Sequence, residues 1–136
     1  MKESIQDLLQ DLQKKCIEND EQLQKDLGLS MAEFHFIVAS LTVPDLNIRK
    51  LQETMSVSQS RMSRIIDSLV NHNYICRETN TTDRRAIAIK FTPKGKEIVS
   101  KITEHKKKCE EKIEKVLSHE QKRQICNDLR FLIKNI

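Results

Sequence analysis

Five polar side chains stand together at the start of a short helical pattern near the middle of the chain. They are Gln59, Ser60, Arg61, Ser63 and Arg64. Arginine can donate two hydrogen bonds to guanine, glutamine can pair in the same way with adenine, and serine suits a base or a phosphate. No acidic residue occurs from Ser56 to Ile66. These residue types predict contacts with DNA bases, and a solvated helix face is the plain alternative for any one of them.

The elements that would position these side chains have the spacing of a helix-turn-helix. The apolar face of the second helix is formed by Met62, Ile65, Ile66 and Leu69. Ser58 can cap this helix, and Asn47 can cap a shorter helix before it, whose apolar residues are Ile48, Leu51 and Met55. In a helix-turn-helix the N-terminal residues of the second helix contact base edges in the major groove.

A β-hairpin is predicted directly after the second helix. Asn73 stands where a left-handed residue would end that helix. Tyr74–Arg77 and Ala86–Phe91 read as strands, because the second run alternates apolar and polar residues. The residues between them, Thr79–Asp83, have the composition of a turn. The order helix, turn, helix, hairpin is that of a winged helix-turn-helix.

Two arginines, Arg84 and Arg85, stand at the edge of the turn beside Asp83. A guanidinium at a hairpin tip can enter a narrow minor groove, and a nearby carboxylate can hold it in orientation. An ordinary charged turn is the alternative. Phosphate contacts are expected from four further residues: Arg49, Lys50, Ser58 and Arg77.

These features resemble the DNA-binding core of the MarR family of bacterial winged-helix regulators. The resemblance covers Leu51–Glu97 and rests on the runs VSQSRMSRIIDSLV, YICR and TDRRAIAIKFTPKGKEIV. By position it implies that Arg85 enters the minor groove with Asp83 as its partner, and that Gln59–Arg64 form the recognition surface. Asn73 replaces the glycine that is usual in the family.

Charge is distributed unevenly along the 136 residues, which carry a net charge of +4. Residues 1–46 hold four basic and nine acidic residues, residues 47–96 ten and four, and residues 97–136 ten and seven. The central third is therefore the most positive, as expected of a DNA-binding segment. No long apolar run or signal-peptide pattern occurs, so we expect a cytoplasmic protein without a membrane partner.

Apolar-striped helices flank the central segment. The first pattern covers residues 2–26, and Gly28 is predicted to end it with Leu29 packed over the end, as in a Schellman motif. The Ser30–Glu33 capping box precedes residues 34–41, which are hydrophobic on almost every side and predict a buried second helix.

Two more helices are predicted after the hairpin. Thr92–Gly95 matches the Thr-x-x-Gly with which family members open their next long helix, and the pattern here continues to about Leu117. Ser118–Gln121 is a capping box for a last helix. A helix of roughly 25 residues is ~37 Å long, more than a small domain can cover. We expect a homodimer built on these helices, and the resemblance implies the same.

The predicted fold is mainly α with a small β-hairpin. A single domain, 1–136, would contain a winged helix-turn-helix core at about 30–96. Dimerisation helices would occupy about 1–29 and 97–136.

Candidate sensing residues are few. Cys16 lies broadly where thiol-based peroxide sensors of the family keep a reactive cysteine, but it continues an apolar stripe, which favours core or interface packing. His105 and Cys109 are four residues apart on one helix, and with His35 they are candidate metal ligands, although no metal is expected. A small organic ligand is implied by family analogy alone.

The leading interpretation is a homodimeric, sequence-specific DNA-binding transcriptional regulator. It would repress from a pseudo-palindromic operator in double-stranded DNA and respond to a small-molecule or redox signal. A non-specific architectural DNA-binding protein and a winged-helix protein–protein interaction module are the alternatives. The sequence has no Gly-rich phosphate loop, nucleophile elbow or HExxH motif, so it indicates neither an enzyme nor a bound cofactor.

Overall fold

The computed structural model describes residues 3–79 and 87–136, without the side chains of Thr79 and Ile87. The elements of this described part are α1 Ile5–Asp26, α2 Met31–Ser40, a 3-10 turn Pro44–Leu46, α3 Ile48–Met55, α4 Gln59–Asn71, β1 Ile75–Thr79, β2 Ile87–Phe91, α5 Pro93–Val116 and α6 His119–Asn135. The predicted mainly helical fold with one small hairpin is confirmed. The chain forms two compact units, one up to Ile102 and one from Thr103 onward.

The core of the first unit is built around α2. Phe34, Phe36 and Ile37 are each at most 1% exposed, so the predicted buried second helix is confirmed, although His35 is exposed. Buried residues from the other elements complete this core: Leu29, Leu51, Met62, Ile65, Ile66, Leu69, Tyr74, Ile75, Ile89, Ile98 and Ile102. Burying one large aliphatic or aromatic side chain contributes about 1.5–3 kcal/mol.

The ends of α1 and the start of α2 follow local capping rules. The Leu29 N–H donates to the Gln24 carbonyl and the Gly28 N–H to the Lys25 carbonyl, at 3.1 and 3.0 Å, with Gly28 at φ +69°. The predicted Schellman motif is therefore confirmed. The predicted start at residue 2 is wrong, because Ser4 forms a capping box with Asp7 and the helix begins after it.

The helix-turn-helix has both of its predicted caps. Asn47 Oδ1 accepts from the Lys50 N–H at 3.0 Å, and Ser58 Oγ accepts from the Arg61 N–H at 3.1 Å. The predicted apolar face of α4 is confirmed as buried: Met62, Ile65, Ile66 and Leu69. Asn73 has φ 62°, the left-handed conformation predicted for it.

The hairpin starts one residue later than predicted. The Tyr74 N–H donates to the Leu69 carbonyl at 2.9 Å, so this residue still belongs to the end of α4. Pairing is antiparallel and extends from Ile75 opposite Phe91 to Thr79 opposite Ile87. Thr79 is therefore part of the strand and not of the turn.

The second unit consists of the later part of α5 and α6. Ser118 forms the predicted capping box with Gln121. Lys122 of α6 pairs with Glu114 and lies 3.7 Å from Glu110 on α5. No residue from 103 to 136 is buried within this chain. Within the described part of the chain, no helix is long and apolar enough to cross a membrane.

Candidate nucleic-acid interface

The N-terminal half of α4 presents the predicted polar residues to solvent. All five are exposed: Gln59, Ser60, Arg61, Ser63 and Arg64. The buried apolar face of the same helix fixes which side points outward, and the Ser58 cap fixes where the helix begins. Arg61 and Arg64 are three residues apart, so they lie on one side of the helix. The structure thus brings the sequence-predicted base-contacting residues together on one surface.

A cleft of about 600 Å³ runs between α3, α4 and the hairpin. Its apolar lining includes Met62 and Ile66. Its polar lining comes from the segment before α3, from α3, from α4 and from β1: Asp45, Asn47, Arg49, Gln52, Gln59, Ser63 and Arg77. Gln59 and Ser63 of α4 therefore share one concave surface with Arg77 of β1. Hydrogen-bond donors and acceptors from both parts of the winged helix converge there.

Arg77 forms an ion pair with Asp67 on α4, with both side chains partly exposed. Arginine has five N–H donors, so one carboxylate leaves others available for a phosphate. Asp67 was not among the predicted site residues, because a partner ten positions away leaves no local pattern. The pair joins β1 to α4.

The predicted phosphate contacts from α3 are exposed. Arg49 and Lys50 lie on the first turn of α3, and Arg49 is 3.7 Å from Glu53. Exposed pairs of this kind contribute about 0–1 kcal/mol, so the guanidinium can exchange its partner at little cost.

The tip of the hairpin lies outside the described residues. Asp83, Arg84 and Arg85 are among residues 80–86, which lie outside the described part of the chain, so their assignment stays a prediction. On the described strands, Lys90 Nζ lies 2.6 Å from Glu78 Oε1, and this hydrogen bond raises the pKa of Lys90.

The C-terminal end of α4 contacts other elements. Glu33 of α2 is 2% exposed, and its Oε2 lies 2.7 Å from Nδ1 of His72, the residue that ends α4. Burial raises the pKa of the Glu33 carboxyl, but hydrogen bonds from Ser30 and His72 outweigh it, so the pKa lies below its usual value. Sequence reasoning identified Glu33 only as part of a capping box, and no sequence signal pairs residues 39 positions apart.

The Thr92–Gly95 segment also contacts the C-terminal end of α4. The Thr92 hydroxyl donates to the Asn73 carbonyl at 2.6 Å and accepts from the Gly95 N–H at 3.0 Å. A Cβ on Gly95 would lie 1.9 Å from the Tyr74 carbonyl oxygen. Only glycine allows α5 to begin this close to the end of α4.

The candidate sensing residues are divided between the two compact units. Cys16 is exposed, so it does not pack in the core of this chain. Cys109 Sγ lies 3.6 Å from His105 Nε2, whereas His35 is an exposed residue of α2. Among the residues that the structure describes, no three His, Cys, Asp or Glu side chains are grouped to hold a metal ion.

Comparisons with known proteins find sequence similarity to one family. The sequence model of the MarR family matches residues 29–87. The HTH-type transcriptional repressor MdtR of Bacillus subtilis (strain 168) is 33% identical over 93 residues, which cover 68% of this chain and 57% of MdtR. The match thus spans little more than half the length of that relative.

Solved structures share the fold over almost the whole chain. Streptococcus pneumoniae FabT in complex with DNA superposes with a TM-score of 0.84 at 24% identity, covering 96% of this chain and 93% of FabT. The S. aureus MepR–DNA complex gives a TM-score of 0.80 at 16% identity, covering 96% and 95%. At these identities the likeness establishes the fold alone.

Proposed function

Because this chain belongs to the MarR family, we propose that it is a homodimeric, sequence-specific DNA-binding regulator of transcription. It represses by occupying a pseudo-palindromic operator, and a small organic molecule or thiol oxidation releases it. The exposed N-terminal half of α4 carries this proposal. It combines Gln59 and serines with Arg61 and Arg64, a set suited to base edges, where a purely electrostatic surface would need only cations.

In this proposal α4 is the recognition helix, which enters the major groove of DNA. Arg61 and Arg64 contact base edges together with Gln59, and Arg77 contacts a phosphate while Asp67 holds it. Arg49, Lys50 and Ser58 supply further phosphate contacts. The predicted wing arginines, Arg84 and Arg85, reach the adjacent minor groove with Asp83 as orienting carboxylate.

Exposed apolar helix faces support the homodimer. Ile5, Leu8 and Leu12 on α1 are 67%, 49% and 52% exposed, and Phe131 and Ile133 on α6 are 67% and 77% exposed. Large apolar side chains exposed on a helix are typical of a protein–protein interface. A second copy is the occupant that also yields two recognition helices about 34–36 Å apart, one per half-site.

The test is fluorescence anisotropy with the duplex upstream of the protein's own gene and a scrambled duplex of equal length. Wild type is expected to prefer the upstream duplex, with a log–log salt slope of about −0.9 per phosphate contacted. Arg64→Ala should weaken binding, whereas Lys101→Ala, which removes one exposed positive charge on α5, should not.

Each other result supports a different class of protein. Equal affinity for both duplexes would favour the architectural DNA-binding alternative. No binding to either duplex at low salt would favour the protein–protein interaction module and contradict the proposal. Sedimentation of the free protein as a monomer at micromolar concentration would contradict the dimer.

A further inference from the structure

We infer that Glu33 and His72 are positioning residues for DNA recognition: they hold the C-terminal end of α4 and thereby set the direction in which its N-terminal half meets DNA. Neither residue belongs to the predicted DNA-contacting set. The inference rests on the proposed DNA-binding function and adds residues to it that act through the orientation of α4.

The anchor on α2 is a buried carboxylate with both oxygens occupied. Glu33 Oε1 accepts from the Ser30 N–H at 2.9 Å, and Oε2 lies 2.7 Å from His72 Nδ1. Among the described residues, Glu33 is the one charged side chain in the buried set. A buried carboxylate that loses a donor is costly, so the His72 ring is strongly held at this position.

Tyr74 and Lys94 also contact His72 and restrict its position. Its ring is about half exposed and packs edge-on against Tyr74, with the centroids 6.0 Å apart. Its backbone carbonyl accepts from Lys94 Nζ at 3.0 Å, and the same ammonium lies 4.8 Å from the centre of the Tyr74 ring. Groups from α2, from the segment leading into β1 and from α5 therefore meet at His72, the residue that caps the C-terminal end of α4.

A small tilt of α4 at its C-terminal end displaces its N-terminal end. This helix has 13 residues, so its two ends are about 18 Å apart, and a tilt of about 5° at one end moves the other by about 1.5 Å. Apolar burial of α4 is non-directional, whereas the Glu33–His72 hydrogen bond depends on distance and angle. At the other end, the Arg61 N–H donates to Ser58 Oγ, and this cap bond joins the helix only to the residue that directly precedes it.

The experiment compares His72→Ala with His72→Asn, because the Asn amide nitrogen can replace Nδ1 as the donor to Glu33. His119→Ala, at the exposed start of α6, controls for loss of a histidine, and Arg64→Ala for loss of a direct contact. Binding to the upstream duplex is measured over a salt series. Denaturant unfolding of the same samples shows that each variant is folded under the binding conditions.

His72→Ala is expected to weaken binding about 3- to 10-fold, the size of indirect effects on coupling, while the salt slope stays that of wild type. His72→Asn should bind within about twofold of wild type, as should His119→Ala. An unchanged slope excludes a lost phosphate contact, and a fully folded sample excludes lost stability as the cause.

Three other results overturn the inference. If His72→Ala binds like wild type while Arg64→Ala is weakened, the positioning role is wrong and the proposed function stands. If His72→Asn is as weak as His72→Ala, the ring itself acts and the link through Glu33 is wrong. If wild type binds no DNA, the proposed function fails and the positioning role fails with it.

Discussion

The two ends of α4 differ in exposure and in the elements that they contact. Its N-terminal half is exposed and polar, and its cap comes from the adjacent Ser58. Its C-terminal end is joined to α2 through Glu33 and to the start of α5 through Thr92 and Lys94. One end is available to a partner, and the other is fixed by residues that are distant in sequence.

From this difference we expect that substitutions along the 13 residues of α4 affect DNA binding at one end and folding stability at the other. Substitutions in the exposed half should change binding with little effect on folding, because exposed side chains contribute little to stability. Substitutions at the fixed end should change folding first, and binding through orientation. The following predictions test that separation, starting with the largest effect.

Gly95→Ala should produce the largest loss, at the fixed end. Its Cβ would lie 1.9 Å from the Tyr74 carbonyl oxygen, so α5 must move away from the end of α4. Crowding of backbone by backbone is expected to lower the free energy of unfolding by about 3 kcal/mol or more. Urea denaturation measures it, with Lys96→Ala on the same turn, an exposed residue, as the control. Wild-type stability of Gly95→Ala would show that the two helices are not held this closely.

Arg64→Ala should have the next largest effect, at the exposed end and on binding alone. Loss of a base-contacting arginine typically costs about 1–3 kcal/mol of binding free energy and relaxes specificity at one base pair. Anisotropy titrations against duplexes with single base-pair changes measure both. The unfolding midpoint should stay that of wild type, since the side chain is exposed. A large loss of stability would contradict the proposed separation.

Sequence alone predicted local features of the fold well and pairs between distant residues poorly. Asn47, Ser58, Asn73 and the Ser30 capping box were found because each acts within four residues of its own position. Residue type and helical period also separated the buried face of α4 from its polar face. The pairs Glu33–His72 and Asp67–Arg77 leave no such pattern, because tertiary folding creates them.

The boundaries that were wrong have the same cause. The predicted start of α1 at residue 2 is too early, because the Ser4 side chain caps the helix and sets its start at Ile5. The first strand was started at Tyr74 although that residue still donates to Leu69. In both cases a hydrogen bond at the helix end sets the boundary.

Two capping substitutions, one at each end of α4, should lower the free energy of unfolding by similar amounts. Ser58→Ala should lower the free energy of unfolding by about 1 kcal/mol through loss of the bond to the Arg61 N–H. Asn73→Ala should cost about 1–2 kcal/mol, because alanine is disfavoured at φ 62°. Asn73→Gly, which allows this φ, is the matched control and should restore wild-type stability. Equal stability of Asn73→Ala and Asn73→Gly in denaturant titrations would refute this explanation.

The pH dependence of stability should give the smallest effect, because many carboxyl groups titrate together. Hydrogen bonds from Ser30 and His72 outweigh burial and hold the pKa of Glu33 below its usual value. The unfolded chain therefore takes up this proton at higher pH than the folded chain. The stabilisation is complete above the unfolded pKa, about 4.3, and is lost as pH falls through the lower folded pKa.

Glu33→Gln isolates this contribution, because glutamine keeps the shape of the side chain and removes its titration. The stability difference between wild type and Glu33→Gln should shrink as the pH falls below about 4. Asp7→Asn is the matched control, since the pKa of Asp7 is also lowered, chiefly by its hydrogen bonds to Ser4, but in an exposed capping box. Its difference from wild type should be smaller at every pH. A Glu33→Gln difference that does not change with pH would mean that the fixed end of α4 depends on the shape of this side chain and not on its charge.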